Sequence, residues 1–203
     1  MDFADLVSVP ERLTTPEFVL RPLVAADVEL DYEAVMASRE QLRPWEQTGW
    51  PADDFTLEED LSDVEGLEHG HRDGRRFTYT VLTPDESECL GCVYFMPGDA
   101  RSYTTAEITP LADDRWDRVR GTVSFWVRSS RLDDGLDRRL LAAVLRWITD
   151  DWGLDDLVMM TNEEVPQQVA VLEQVGLRPV FRVQQPGQSG AYLAYAQGAL
   201  GTP

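Results

Sequence analysis

"GTVSFWVRSSRLDDGLDRRLLAAVLRWITDDWGLDDLVMMTN" occupies residues 121–162, and its reading decides the fold. "TVSFWVR" (122–128) is rich in β-branched and aromatic residues, which predicts a strand. "GLDRRLLAAVLRWITDDWG" (135–153) places Leu136, Leu140, Leu141, Val144, Leu145 and Ile148 on one helical face, and Gly153 stops it. "DDLVMMTN" (155–162) is a short buried strand. A strand, a helix and a strand in that order make a crossover unit, so the two strands are expected to lie side by side and parallel. The joint at 129–135 carries Gly135 just before a helix N-terminus, the usual apparatus for holding an anion. Yet Asp133, Asp134 and Asp137 surround that glycine, with Arg131, Arg138 and Arg139 flanking it.

Upstream, "EFVLRPL" (17–23) reads as a strand and 24–42 as a helix, broken by the loop 43–55 with its Pro44 and Pro51. That loop shows Trp45 and Trp50. "TLEEDLSDVEGLEHGH" (56–71) opens with Thr56 and Glu59, a capping-box pattern, and predicts a second helix. The period then changes to two over 76–85 and 89–97, a hairpin. Residues 98–120 are irregular and charged, with "AEITPL" strand-like. Downstream, 165–176 is a helix with Pro166 in its first turn, and 177–184 and 190–197 close the chain as strands. The order predicts an α+β (mixed α/β) fold: a central mixed sheet, antiparallel at the front and crossover-connected at the back, with helices on both faces. One domain over 17–203, preceded by an N-terminal extension at 1–16, fits the length.

Eighteen basic residues, all Arg, stand against 37 acidic ones, a net charge of −19. Such an acidic chain repels nucleic acid, which would need a basic stripe that is absent here. No apolar run is long enough to span a bilayer, and the first residues lack a signal-peptide pattern. A cytoplasmic protein is the expectation. Cys89 and Cys92 form a CxxC, and His69 and His71 an HxH. Positions three apart on a strand face opposite ways, so the two thiols are not expected to converge on a metal. The absence of lysine excludes Schiff-base and Walker-type phosphate chemistry.

The stretches "FVLRPLVAADVELDYEAVMASREQLRPW", "LGCVYF", the segment quoted above and "VLEQVGLRPV" resemble the GNAT family of acyl-CoA-dependent N-acetyltransferases. The likeness is greatest to the branch that includes the ribosomal-protein N-terminal acetyltransferases. The resemblance implies a three-layer fold whose central mixed sheet is mostly antiparallel with splayed strands, and acetyl-CoA as co-substrate without a metal. It further implies direct acetyl transfer, in a ternary complex, to a primary amine of a small molecule or a peptide N-terminus. A homodimer is compatible with it; nucleic-acid and membrane partners are not expected. It also implies that the cofactor lies along 122–128, with the peptide groups of Phe125, Trp126 and Val127 toward it. Its pyrophosphate would then sit on Arg131, Gly135, Leu136, Asp137 and Arg138.

The family loop reads Arg/Gln-x-x-Gly-x-Gly/Ala. Gly135 matches the first glycine, but Leu132 stands at the Arg/Gln position and Asp137 at the second small residue. The later family Asn falls on Val165, and the Tyr that serves as acid falls on Leu172. A carboxylate about 4 Å from one phosphate charge costs roughly 4 kcal/mol at an effective dielectric of about 20. A helix N-terminus returns about 0.3–2 kcal/mol. Asp137 is therefore expected to turn outward while the N–H groups from Gly135 to Arg138 receive the phosphates. Ser124 and Glu107 are the candidate catalytic groups, and Trp45, Trp50 and Tyr94 the candidate acceptor walls. Two alternatives stay open beside an active transferase: a degenerate fold that binds ligand without turnover, and an interaction subunit without cofactor.

Overall fold

Nine strands join in one sheet, in a computed structural model that describes residues 9–154, 156–198 and 200. In chain order they are β1 (Leu13–Thr14), β2 (Val19–Pro22), β3 (Phe77–Leu82), β4 (Cys89–Pro97), β5 (Glu107–Pro110), β6 (Gly121–Val127), β7 (Leu157–Asn162), β8 (Arg178–Gln184) and β9 (Tyr192–Ala196). Their spatial order is β1-β2-β3-β4-β6-β7-β9-β8-β5. Every adjacent pair is antiparallel except β6 and β7, which are parallel as the crossover unit requires. Residues 13 and 14 were expected in an extension, but they pair with β2. Residues 1–8 and 201–203, at the ends of the expected extension and domain, lie outside the described residues.

The helices are α1 (Val28–Ala37), α2 (Arg39–Glu46), α3 (Leu57–Arg72), the single turn α4 (Arg101–Thr104), α5 (Leu136–Trp147) and α6 (Pro166–Gln174). Leu140, Leu141 and Val144 of α5 and Leu172 of α6 pack with Val93, Phe95, Val123 and Phe125 on one face of the sheet. Ala34 and Val35 of α1 and Val64 of α3 pack with Cys92 and Trp126 on the other. Alternating side chains along β4 and β6 thus feed two cores. The helix expected as one piece over 24–42 breaks at Ser38 (φ −114°, ψ 8°) and restarts. Ser38 O then accepts the Gln41 and Leu42 N–H groups, and fully buried Leu42 anchors the new helix. Pro44 lies inside α2 rather than ending it. So late in so short a helix, its ring costs only the one bond that its missing N–H would have made to Glu40.

The hairpin departs from simple alternation too. The β3–β4 register shifts between Val81 and Leu82, so Leu82 faces Cys89 while Val81 faces Gly91. This bulge turns Cys89 and Cys92 to the same side, correcting the expectation of opposite faces. Gly91 sits at φ +150°, and a Cβ there would lie 2.1 Å from Trp126 O. No other residue fits. Both cysteines are free thiols, and burial pushes the Cys89 thiol up to about 12. His69 pairs with Asp73, and His71 Nδ1 accepts the Thr78 N–H. Among the described residues no group of three or more His, Cys, Asp or Glu is arranged to hold a metal ion. None of their helices is long and apolar enough to cross a membrane.

Candidate active site

The site begins where two strands part. β6 pairs with β7 only from Gly121 to Val123, although it runs on to Val127. The rest of β6 therefore borders a V-shaped opening. Arg128 N–H donates to Leu90 O across β4 at 2.8 Å. By the two-residue period of a strand, the peptide group of Trp126 also faces β4, while those of Phe125 and Val127 face the opening. Trp126 thus offers no N–H to a ligand there, contrary to expectation. Its indole N–H instead donates to the Tyr94 hydroxyl at 3.0 Å.

The opening is bridged higher up by Gln168 of α6. Its Nε2 donates to Phe125 O at 2.7 Å, and its Oε1 accepts from Thr161 Oγ1 at 2.6 Å. Sequence reasoning passed over this residue, since a glutamine in the first turn of an amphipathic helix reads as surface.

The loop after β6 is held from behind. Ser129 N–H donates to Ser38 Oγ, and Ser129 Oγ to Gln41 Oε1. Gly135 takes the left-handed conformation (φ +68°) that ends the loop and starts α5. Asp137 does not turn outward: it is 6% exposed. Its Oδ1 accepts the Arg138 N–H at 2.8 Å, and its Oδ2 accepts from Gln167 Nε2 at 3.2 Å. The helix N-terminus attracts the carboxylate as it would any anion, and α6 crosses close enough to fix it inside. Arg131 is bound to Glu88 and Arg139 to Glu17. Arg138 alone of the three flanking arginines is exposed and without an ion pair among the described residues. Among the described residues the Leu136 and Asp137 N–H groups have no backbone acceptor, and they stand at the helix N-terminus beside exposed Arg138.

On the α1–α3 side of the sheet lies a cavity of about 510 Å³. Four expected residues line it together: Trp45, Trp50, Tyr94 and Ser124. Tyr94 and Ser124 are register partners on β4 and β6, so both form its floor. Burial holds the Tyr94 hydroxyl well above its ordinary range, hence protonated. Glu107 is not part of this cavity. It is exposed on edge strand β5, with β7, β9 and β8 between it and β6.

The cavity supplies carboxylates that were not singled out in the sequence. Glu46 of α2 and Asp63 of α3 both line it, and desolvation raises the pKa of each. Glu46 is half-buried, and no side-chain partner holds its carboxylate among the described residues. The signal lay in "RPWEQTGW", where an acid directly follows the first of two loop tryptophans. A desolvated carboxylate facing a cavity can take a proton from an ammonium group. The aromatic walls suit a cation as well.

Known proteins share this fold. No curated protein matches the chain. Among solved structures, it is similar to the ribosomal L7/L12 alpha-N-protein acetyltransferase RimL in complex with coenzyme A, at 16% identity and a TM-score of 0.67. That match covers 94% of this chain and 98% of the other. It is similar to Mycobacterium smegmatis RimJ in complex with CoA-disulfide, at 21% identity over 93% and 85% of the two chains, TM-score 0.65. It is also similar to the microcin C7 self-immunity acetyltransferase MccE in complex with acetyl-CoA and AMP, at 12% identity over 92% and 96%, TM-score 0.68. At these identities the likeness establishes the fold. The acetyltransferase (GNAT) domain family matches residues 17–178, most of the chain. The chain belongs to the GNAT acetyltransferase family.

Proposed function

We propose that this protein is an acetyl-CoA-dependent N-acetyltransferase whose acceptor is a primary amine of a small molecule or a peptide N-terminus. The observation that carries the reading is the continuity of the site. The β6–β7 opening on one side and the cavity of Trp45, Trp50, Tyr94, Ser124 and Glu46 on the other share strand β6. The residues present fit the co-substrate. Phe125 and Val127 face the opening, and two backbone N–H groups with Arg138 stand at the α5 N-terminus. Acetyl-CoA supplies an acetyl group activated as a thioester. Glu46 takes a proton from the ammonium form of the acceptor, leaving a neutral amine to attack the carbonyl carbon. Peptide N–H groups on the opening side of β6 receive the charge that develops on the carbonyl oxygen. The Tyr94 hydroxyl, kept neutral by burial, gives its proton to the departing thiolate and takes one back from the attacking nitrogen, so Glu46 holds the one proton released overall. The ligands named for RimL, RimJ and MccE support the cofactor part of this reading.

A second reading, ligand binding without turnover, draws on Gln168 and Asp137, which occupy the opening and the helix N-terminus with the chain's own groups. Incubation with acetyl-CoA and an amine panel, scored by thiol release, separates the two. Saturable release supports transfer; saturable CoA binding without release supports the second.

A further inference from the structure

The cavity has a cationic pole as well as an acidic one. Arg76, just before β3, lines it and is half-buried. In a chain with 37 acidic residues, no carboxylate lies within ion-pair distance of Arg76 among the described residues. Arg12, Arg21, Arg43, Arg128, Arg131 and Arg178 all have such partners. Beside Arg76, two residues along and on the same cavity wall, stands Thr78. It is 1% exposed, and its buried Oγ1 has no hydrogen-bond partner among the described residues. A partly desolvated guanidinium and a buried free hydroxyl both lose stability unless something accepts from them. A carboxylate or phosphate oxygen satisfies both at once.

The helix opposite is cut to match. A Cβ at Gly70 of α3 would lie 2.7 Å from Arg76 Nε, so the missing side chain there lets Arg76 lie along the helix. Gly66, one turn nearer Asp63, leaves open space. The stretch from Asp63 to Gly70 spans seven residues, roughly 10 Å. We infer that the acceptor carries an anionic group, carboxylate or phosphate, which Arg76 and Thr78 receive while its amine lies at the Glu46 and Asp63 end. Such an acceptor is close to neutral overall, so the charge of −19 does not repel it. The inference rests on the proposed acetyl transfer for the amine end alone; the anion pole stands on its own geometry.

Two measurements separate the two claims. The first is calorimetry, without acetyl-CoA, of linear primary amines that end in carboxylate, phosphonate, carboxamide or ammonium. The wild type is expected to bind the carboxylate and phosphonate members about ten- to hundredfold more tightly than the carboxamide. Arg76→Gln is expected to abolish that preference, and Thr78→Val to reduce it about tenfold. Gly70→Ala displaces Arg76 while favouring the helix, and is expected to weaken anionic members severalfold. The second is thiol release with the same panel. KM for anionic acceptors should rise in Arg76→Gln with kcat unchanged, and the carboxamide should be unaffected. Selective binding without release would keep the anion pole and sink the transferase reading. Release with no preference among the four termini, no selective binding by the wild type, or an unaltered preference in Arg76→Gln would overturn the anion pole. Urea denaturation of each variant confirms that the fold is retained.

Discussion

Gln168→Ala should make acetyl-CoA bind more tightly while making the empty protein less stable. The Gln168 carboxamide makes two buried hydrogen bonds, at 2.7 Å to Phe125 O and at 2.6 Å from Thr161 Oγ1. A ligand arm that pairs with β6 above Val123 must displace the first, and rotating the amide away breaks the second. Each is worth about 1 kcal/mol net, so the ligand forfeits roughly 2 kcal/mol on entry. Removing the amide returns that sum to binding, about a 30-fold lower Kd. The same substitution removes roughly 2 kcal/mol from the unliganded fold, a Tm lower by roughly 4–8 °C for a chain of this size. Isothermal calorimetry with CoA and urea denaturation of both proteins measure the two effects. If Gln168→Ala binds CoA more weakly than wild type, the amide is a ligand for the cofactor and not an obstacle to it. If binding is unchanged, the arm does not run through this opening.

Asp137→Ala should also tighten CoA binding, because a buried carboxylate no longer competes for the Arg138 N–H, at a cost of about 1 kcal/mol for the lost first-turn hydrogen bond and dipole contact; weaker CoA binding by calorimetry would contradict it. Gly91→Ala should lower stability by about 3 kcal/mol or prevent folding, since its Cβ would meet Trp126 O; a normal urea midpoint would show that the bulge can relax. Asp31, buried beside Cys92 with its Oδ1 3.6 Å from the thiol, has its carboxyl raised by desolvation from 3.8 to about 6. At pH values between these the folded chain keeps a proton that the unfolded chain has released, so this group's contribution to stability falls as pH rises. The loss approaches its full value of about 3 kcal/mol near pH 7, so the stability of Asp31→Asn relative to wild type should grow by roughly 2 kcal/mol between pH 4 and 7. Parallel pH profiles would contradict the assignment.

What was legible in the sequence follows from periodicity. The crossover unit at 121–162, the α3 capping box and the β4 strand repeat every two or 3.6 residues, and local pattern alone specifies them. The splaying of β6 from β7 was legible only through the family resemblance, since a strand-helix-strand pattern predicts only that the two strands are neighbours. The Asp137 contact was not. First-turn acids usually complement the dipole from solvent, and only the crossing of α6 turns this one inward. Nor was the convergence of Cys89 and Cys92, because a bulge leaves no periodic signal beyond a glycine. Trp45, Trp50, Tyr94 and Ser124 could be named singly, yet their meeting around one cavity depends on α2 continuing through Pro44 to Glu46. Glu46 and Arg76 escaped notice because a charged residue in a loop or at a strand edge reads as solvated. Their significance lies in the partners they lack among the described residues, which composition does not reveal.

The central claim, that β6 delivers an acetyl group to an amine held beside Glu46, is tested most directly by one kinetic comparison. Thiol release from acetyl-CoA with a responsive primary amine is followed against pH for wild type and Glu46→Gln, with the acetylated amine confirmed by mass spectrometry. The account predicts saturable, amine-dependent release by wild type. It also predicts a rate limb in wild type that rises through a pKa above the usual glutamate range, as burial of Glu46 requires. Glu46→Gln should lose roughly 10²–10⁴ in kcat together with that limb, while its Kd for CoA stays unchanged. No acetylated amine from wild type, or a Glu46→Gln variant with undiminished kcat and the same pH profile, would contradict it.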